Sequence, residues 1–267
     1  MWFLLACAAA SGPEAATDAG QADDAGEVGD TATTVPRGEP SLTAADVAEA
    51  LQPLVDETFP DTRQLRDVYL AMMRAGEAGC PGEDDQLEDG SIPLAGCTSQ
   101  SGYTYVGLSE YAEDDSGYAL DLGDFYITDP EGRTFAVGGT FDWAAGDSGS
   151  WTAQALGSFS YPGAEGWLGE GASLALWLDG GPGALAIDGG LGTLDAGGQL
   201  YFDALTWGAC GTDPTGAIRL RGPEGDWYRL DLDCSSCGTV VWAGSPLGEA
   251  CVDLGALADS LTTRLSP

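Results

Sequence analysis

Histidine and lysine are both missing from this chain of 267 residues, and each absence removes chemistry. Without histidine there is no ordinary general base near neutral pH, no Ser-His-Asp or Cys-His nucleophile, and almost no catalytic zinc site. Without lysine, Ser-Lys pairs and Schiff-base chemistry go too. Cations of any kind are scarce: nine arginines stand against 43 acidic residues, a formal net charge of −34. Such a field repels phosphate backbones, which argues against a nucleic-acid partner, and it repels anionic lipid headgroups. No run of about eighteen apolar residues is present, so no transmembrane helix is expected. Apolar residues still make up 43 % of the chain, enough for a packed core, so the acidity does not signal wholesale disorder. The length accommodates one or two domains.

Seven cysteines remain to be explained. The first follows Leu4-Leu5-Ala6, and Leu4-Leu5-Ala6-Cys7 resembles the lipobox of bacterial lipoproteins. The resemblance implies cleavage before Cys7, acylation of that cysteine and tethering to a membrane through an N-terminal lipid. Ala8 is not the aspartate that retains such proteins at the inner membrane, so the implied position is the outer membrane or cell surface. Met1 to Ala6 is apolar but falls short of a complete export signal, which has a basic start and an apolar stretch of about 7–15 residues. The alternatives are a secretory peptide cut near Ala8 or Ala10, leaving a secreted or periplasmic protein, and a cytosolic chain with an apolar start. The other six cysteines are even in number, which in an exported protein reads as a disulfide framework. Cys80 and Cys97 lie apart from the rest and are expected to pair. Cys210 with Cys234, and Cys237 with Cys251, would each close a hairpin. A structural zinc site built from the last four has the right ligand number, but an oxidising compartment favours disulfides.

The chain divides by composition. Residues 1–6 are the signal-like segment. Residues 7–40 carry the lipid cysteine and an Ala/Gly/Asp/Thr tether with too few large apolar side chains to pack. Residues 41–79 are helical: Thr43 and Asp46 approximate a capping box, and Val47, Leu51, Leu54 and Val55 recur at helical spacing. Pro53 is expected to kink or split that helix. Leu65, Val68, Tyr69 and Met72 mark a second helix. Residues 80–267 switch to period two: Phe135, Val137, Gly139, Phe141 and Trp143 alternate with Thr134, Ala136, Gly138, Thr140 and Asp142. Turn signals, among them Asp129-Pro130-Glu131-Gly132, Asp188-Gly189-Gly190 and Gly222-Pro223-Glu224-Gly225, divide this region into about eleven strands between Tyr103 and Ala243. Two of the hairpins, around the two Pro-Glu-Gly turns, look alike. Leu254, Leu257, Ala258, Leu261 and Leu265 suggest a closing helix. The fold expected is α+β and mainly β: a short N-terminal helical pair packed on a large antiparallel β body, a sandwich or partly open barrel-like sheet, with a C-terminal helix. A membrane barrel is rejected because the segments near Leu185 and Leu194 read as short and broken by glycine.

Apparent catalytic motifs dissolve on inspection. Gly146-Asp147-Ser148-Gly149 spells a serine-protease nucleophile, but nothing can activate Ser148; Asp115-Ser116-Gly117 and Asp147-Ser148-Gly149 are better read as turns. Cys234-Ser235-Ser236-Cys237 precedes a strand rather than a helix, unlike a thioredoxin-type site. Between Cys80 and Cys97, Asp84, Asp85, Glu88 and Asp89 are candidates for a loose calcium site, although the spacing is not that of an EF-hand. Glu110, Glu113, Asp114, Asp115, Asp121 and Asp124 form a second acidic stretch. No other cofactor is expected. The reading is a lipid-anchored extracytoplasmic protein with a structural or binding role, its protein or glycan partner left open. The alternatives are a carboxylate-based enzyme such as a glycan hydrolase, and a calcium-dependent adhesion module.

Overall fold

Thr43 and Asp46 close the first turn of helix α1 (Ala44–Asp56) reciprocally. The Thr43 N–H donates to Asp46 Oδ2 at 2.8 Å and the Asp46 N–H to Thr43 Oγ1 at 3.3 Å, so two otherwise orphaned donors are satisfied. In the computed structural model the residues described are 38–56, 62–74, 80, 96–163, 171–193 and 197–265. All of them belong to one unit, Pro36–Pro267. Val47, Leu51 and Val55 form the buried stripe of α1. Of the kink or split expected at Pro53, the split does not occur, and the helix runs through to Asp56. Proline there stands in the last turn, where the burial of Leu51 and Val55 on either side holds the backbone. Helix α2 (Thr62–Arg74) buries Leu65 and Tyr69, with Val68 half-buried.

Among the described residues twelve strands form one antiparallel sheet and pair strictly in chain order. They are β1 (Cys97–Thr98), β2 (Thr104–Asp114), β3 (Gly117–Thr128), β4 (Thr134–Ala145), β5 (Trp151–Ser160) and β6 (Ala172–Gly181). Then follow β7 (Ala184–Thr193), β8 (Gly197–Gly208), β9 (Gly211–Arg221), β10 (Trp227–Asp233), β11 (Cys237–Trp242) and β12 (Ser245–Cys251). Helix α3 (Gly255–Leu265) closes the chain. The first and last strands are not paired with each other, so the sheet is open.

Among the described residues ten strands lie between Tyr103 and Ala243, against about eleven expected. The difference arises at Asp188-Gly189-Gly190, which reads as a turn but lies inside the ten-residue β7. Gly189, at φ +109°, carries a register shift against β8, and a Cβ there would sit 1.9 Å from the Ala175 carbonyl oxygen. Glycine at that point bends a continuous strand instead of ending it. Two further glycines, Gly139 and Gly157, face each other across β4 and β5 at φ +125° and +151°. A Cβ on either would lie about 2 Å from the opposing backbone, so only glycine lets these strands coil so closely.

One face of the sheet is apolar along nearly its whole width. Leu120, Phe141, Ala155 and Leu176 lie opposite one another across β3 to β6, and Ile218, Leu230 and Val240 do so across β9 to β11. Among the described residues every buried apolar side chain except Ala217 belongs to one continuous core, at roughly 1.5–3 kcal/mol for each large one. Helix α1 lies against β11, β12 and α3, and α2 against β4 and β5. Tyr69 of α2 packs on Tyr111 and Phe125 with ring centroids 5.9 and 5.7 Å apart. The other face carries Thr140, Asp142, Gln154, Asp179, Asp188, Arg219 and Arg229, and so is no lipid-facing apolar band.

Three hairpin turns at one end of the sheet share the same hydrogen bonds. In residues 99–103, 129–133 and 222–226 the first N–H donates to the fifth carbonyl, and a glycine N–H at the fourth position donates back to the first carbonyl. The two Pro-Glu-Gly hairpins are thus alike in geometry as well as in sequence. Asp129 adds a buried carboxylate that accepts from the Arg133 N–H at 2.8 Å and from Arg133 Nε at 2.7 Å. Burial acts to raise its pKa, but those bonds outweigh burial and hold it below the usual value. At the same end the chain entering α1 is fastened to the third turn. The N–H groups of Ser41 and Leu42 donate to the Tyr228 hydroxyl at 2.9 and 3.2 Å, and the hydroxyls of Ser41 and Tyr228 bond Glu224.

Candidate functional site

Disulfides join Cys80 to Cys97, Cys210 to Cys234 and Cys237 to Cys251. The second closes the open end of the β9–β10 hairpin, and in the third the two cysteines are directly opposed on β11 and β12. Cys7, and the calcium candidates Asp84, Asp85, Glu88 and Asp89, lie outside the described residues. The second acidic stretch is spread along β2 and β3 rather than gathered. Glu110 and Asp121 are directly opposed, and Glu113 pairs instead with Arg66 at 3.3 Å. No cluster of metal-ligating side chains occurs among the described residues. Charge along β2, next to the sheet's edge, has a simpler use, since it discourages pairing with another chain. Asp147, Ser148 and Gly149 form a single helical turn between β4 and β5, with Ser148 at φ 59°. Asp114 closes the other such turn by accepting from the Ser116 N–H at 2.7 Å.

A carboxylate enzyme needs two carboxyl groups roughly 5–9 Å apart in a cleft. Asp142 is the acid whose environment most suggests it, since burial raises its pKa. It stands on the open outer face rather than in a cleft; Asp121 is one strand over and two residues along, roughly 8 Å, and Asp188 in the same cross-strand row is three strands away, roughly 14 Å. A shallow groove of about 80 Å³ lies by Tyr126, Ala136, Gly138 and Ser158, and no carboxylate lines it.

What the outer face does gather is aromatic and ionic. Trp177 on β6 is 45 % exposed and Trp227 on β10 is 37 % exposed. Tyr201 on β8 is half-buried and leans on Gly190. Arg219 lies over the Tyr201 ring at 5.4 Å and donates to Asp203 at 2.7 Å. Asp203 also faces Arg229 at 3.9 Å, and Arg229 reaches Asp231 at 2.8 Å. Asp203 therefore stands between two arginines that are directly opposed on β9 and β10, an arrangement that would otherwise repel. Ala217 is fully buried yet lies outside the core, on this outer face between Asp203 and Asp231. The Arg219 Nε is buried there with no hydrogen-bond partner. Next to Asp203 the ladder is irregular: Ala204 sits at φ 47°, and its N–H donates to Asp188 Oδ1 at 2.9 Å. A left-handed alanine costs about 1–2 kcal/mol, and strain of this kind gathers where side chains must be re-aimed.

Sequence reasoning passed over this stripe. A signal was present in the phase, because Trp177 falls with Ser173, Ala175 and Asp179, not with the buried Leu174, Leu176 and Leu178. No family model, no curated protein and no solved structure matches the chain.

Proposed function

We propose that this chain is a lipid-anchored extracytoplasmic binding protein of bacteria. Cys7 carries the lipid at the outer membrane or cell surface, residues 8–40 are a tether, and the β body presents its outer face to a ligand. The observation that supports the reading best is the cysteine arrangement. All six body cysteines are paired, which suits an oxidising compartment and leaves Cys7 as the odd one. The two exposed tryptophans share the outer face with the ionic stripe, and we read that face as the binding surface. Processing and labelling test the anchor. In the native organism the protein is expected to incorporate palmitate, to accumulate unprocessed with globomycin, and to leave the membrane fraction as Cys7→Ser. Membrane retention unchanged in Cys7→Ser, or a mature chain starting at Ala9 or Ser11, would overturn it.

A further inference from the structure

Trp177, Tyr201 and Trp227 lie on one straight diagonal across the outer face. Pairing shows this: Ala175 faces Gly190, which faces Tyr201, and Tyr201 faces Arg219, which faces Arg229. Trp177 is two residues beyond Ala175, and Trp227 two residues before Arg229, in the opposite direction along the sheet. Each step of the diagonal therefore crosses two strands and climbs two residues, roughly 12 Å by ordinary strand spacings. Two exposed tryptophans, with Tyr201 and the Arg219 guanidinium that covers its ring midway between them, match an extended ligand that offers flat apolar faces at its ends and hydrogen-bonding groups between. Sugar chains do so, because each pyranose ring presents a face of C–H bonds that stacks on an aromatic ring.

The charges narrow the class. On the outer face of β6 to β10, between the rows of Trp227 and Asp231, the ionisable groups besides Tyr201 are Asp188, Asp203 and Asp231 against Arg219, Arg221 and Arg229. Within those rows they cancel, with Asp179 and Asp233 one row beyond, in a chain whose net charge is −34. A neutral stripe with fixed donors and acceptors suits hydroxyl groups, whereas an anionic polymer would meet the repulsion of the whole molecule. Gln154 and Asp188, directly opposed to Trp177 on either side, supply an amide and a carboxylate beside the first platform. We infer that the Trp177–Tyr201–Trp227 diagonal is a binding site for a neutral polysaccharide chain. This deepens the binding role proposed above and rests on it.

Affinity electrophoresis of the purified full chain decides the matter, in native gels containing hydroxyethyl cellulose, glycol chitin or polygalacturonate. A neutral polymer is expected to retard the protein. Trp177→Ala and Trp227→Ala should each weaken that retardation about tenfold or more, as loss of an aromatic anchor does. Tyr126→Ala removes a comparably exposed aromatic off the diagonal and should leave it unchanged. Because all three side chains are exposed, folding is retained, as the melting curve checks. No retardation by either neutral polymer, retardation by polygalacturonate alone, or retardation indifferent to both tryptophan variants would overturn the inference. Palmitate labelling reads the anchor separately, so failure here leaves that reading standing.

Discussion

Removing the Cys210–Cys234 bridge as Cys210→Ala/Cys234→Ala tests how the β body is held together. The two cysteines are 24 residues apart in sequence. On the chain-entropy account, freeing a loop of that length in the unfolded chain lowers stability by about 3.5 kcal/mol at 25 °C. In the folded protein little else changes, because β9 and β10 keep seven paired positions from Trp227 to Asp233. With an m-value of about 3 kcal/mol per molar urea, the unfolding midpoint should fall by about 1 M. The Cys80–Cys97 and Cys237–Cys251 loops, with separations of 17 and 14, contribute about 3 kcal/mol each by the same reasoning. None of the three loops overlaps another in sequence, so the losses add. Full reduction should then remove about 10 kcal/mol, comparable with the whole stability of roughly 5–15 kcal/mol usual for a domain. Urea titration followed by tryptophan fluorescence compares the oxidised protein, the double variant and the reduced protein. An unchanged midpoint in the reduced protein would refute the reasoning, as would a double variant that loses as much as full reduction.

Two other perturbations separate the faces and the fastening of α1. Phe141→Ala, in the core, should cost about 3–5 kcal/mol in urea unfolding, whereas Thr140→Ala, one residue away on the outer face, should stay within about 0.5 kcal/mol; equal losses would contradict the assignment of faces. Glu224 binds the hydroxyls of Ser41 and Tyr228. Burial acts to raise its pKa, but those bonds prevail and hold it below the ordinary 4.5. Its contribution to stability is therefore present above about pH 4.5 and lost as pH falls through the lowered value. Glu224→Gln should melt earlier than the parent at pH 6, and the gap should close towards pH 3; a gap that persists would contradict the ionic fastening.

Much of the fold is legible in the chain because its signals are local. The capping box at Thr43 and Asp46 acts within one turn, and the alternation from Phe135 to Trp143 fixes which side chains of β4 face the core. The two Pro-Glu-Gly turns repeat because five residues suffice to specify them. Asp188-Gly189-Gly190 misleads because glycine serves both turns and close strand approach, and only the proximity of Ala175 reveals which applies. The diagonal of Trp177, Tyr201 and Trp227 was illegible for a related reason. Its alignment depends on strand register, and register shifts at Ile187/Gly189 and at Asp203/Thr206 are not written in any local pattern. The Ala204 irregularity is likewise set by a carboxylate sixteen residues away.

The intact mass of the protein extracted from membranes of the native organism tests the central claim most directly, because one number reads cleavage, lipid and disulfides together. The expected result is a mature N-terminus at Cys7 that carries an acylated glyceryl group, and a mass six hydrogens lighter than that of the fully reduced chain. A chain without lipid, one beginning at another residue, or one carrying six free thiols in the body would contradict the account.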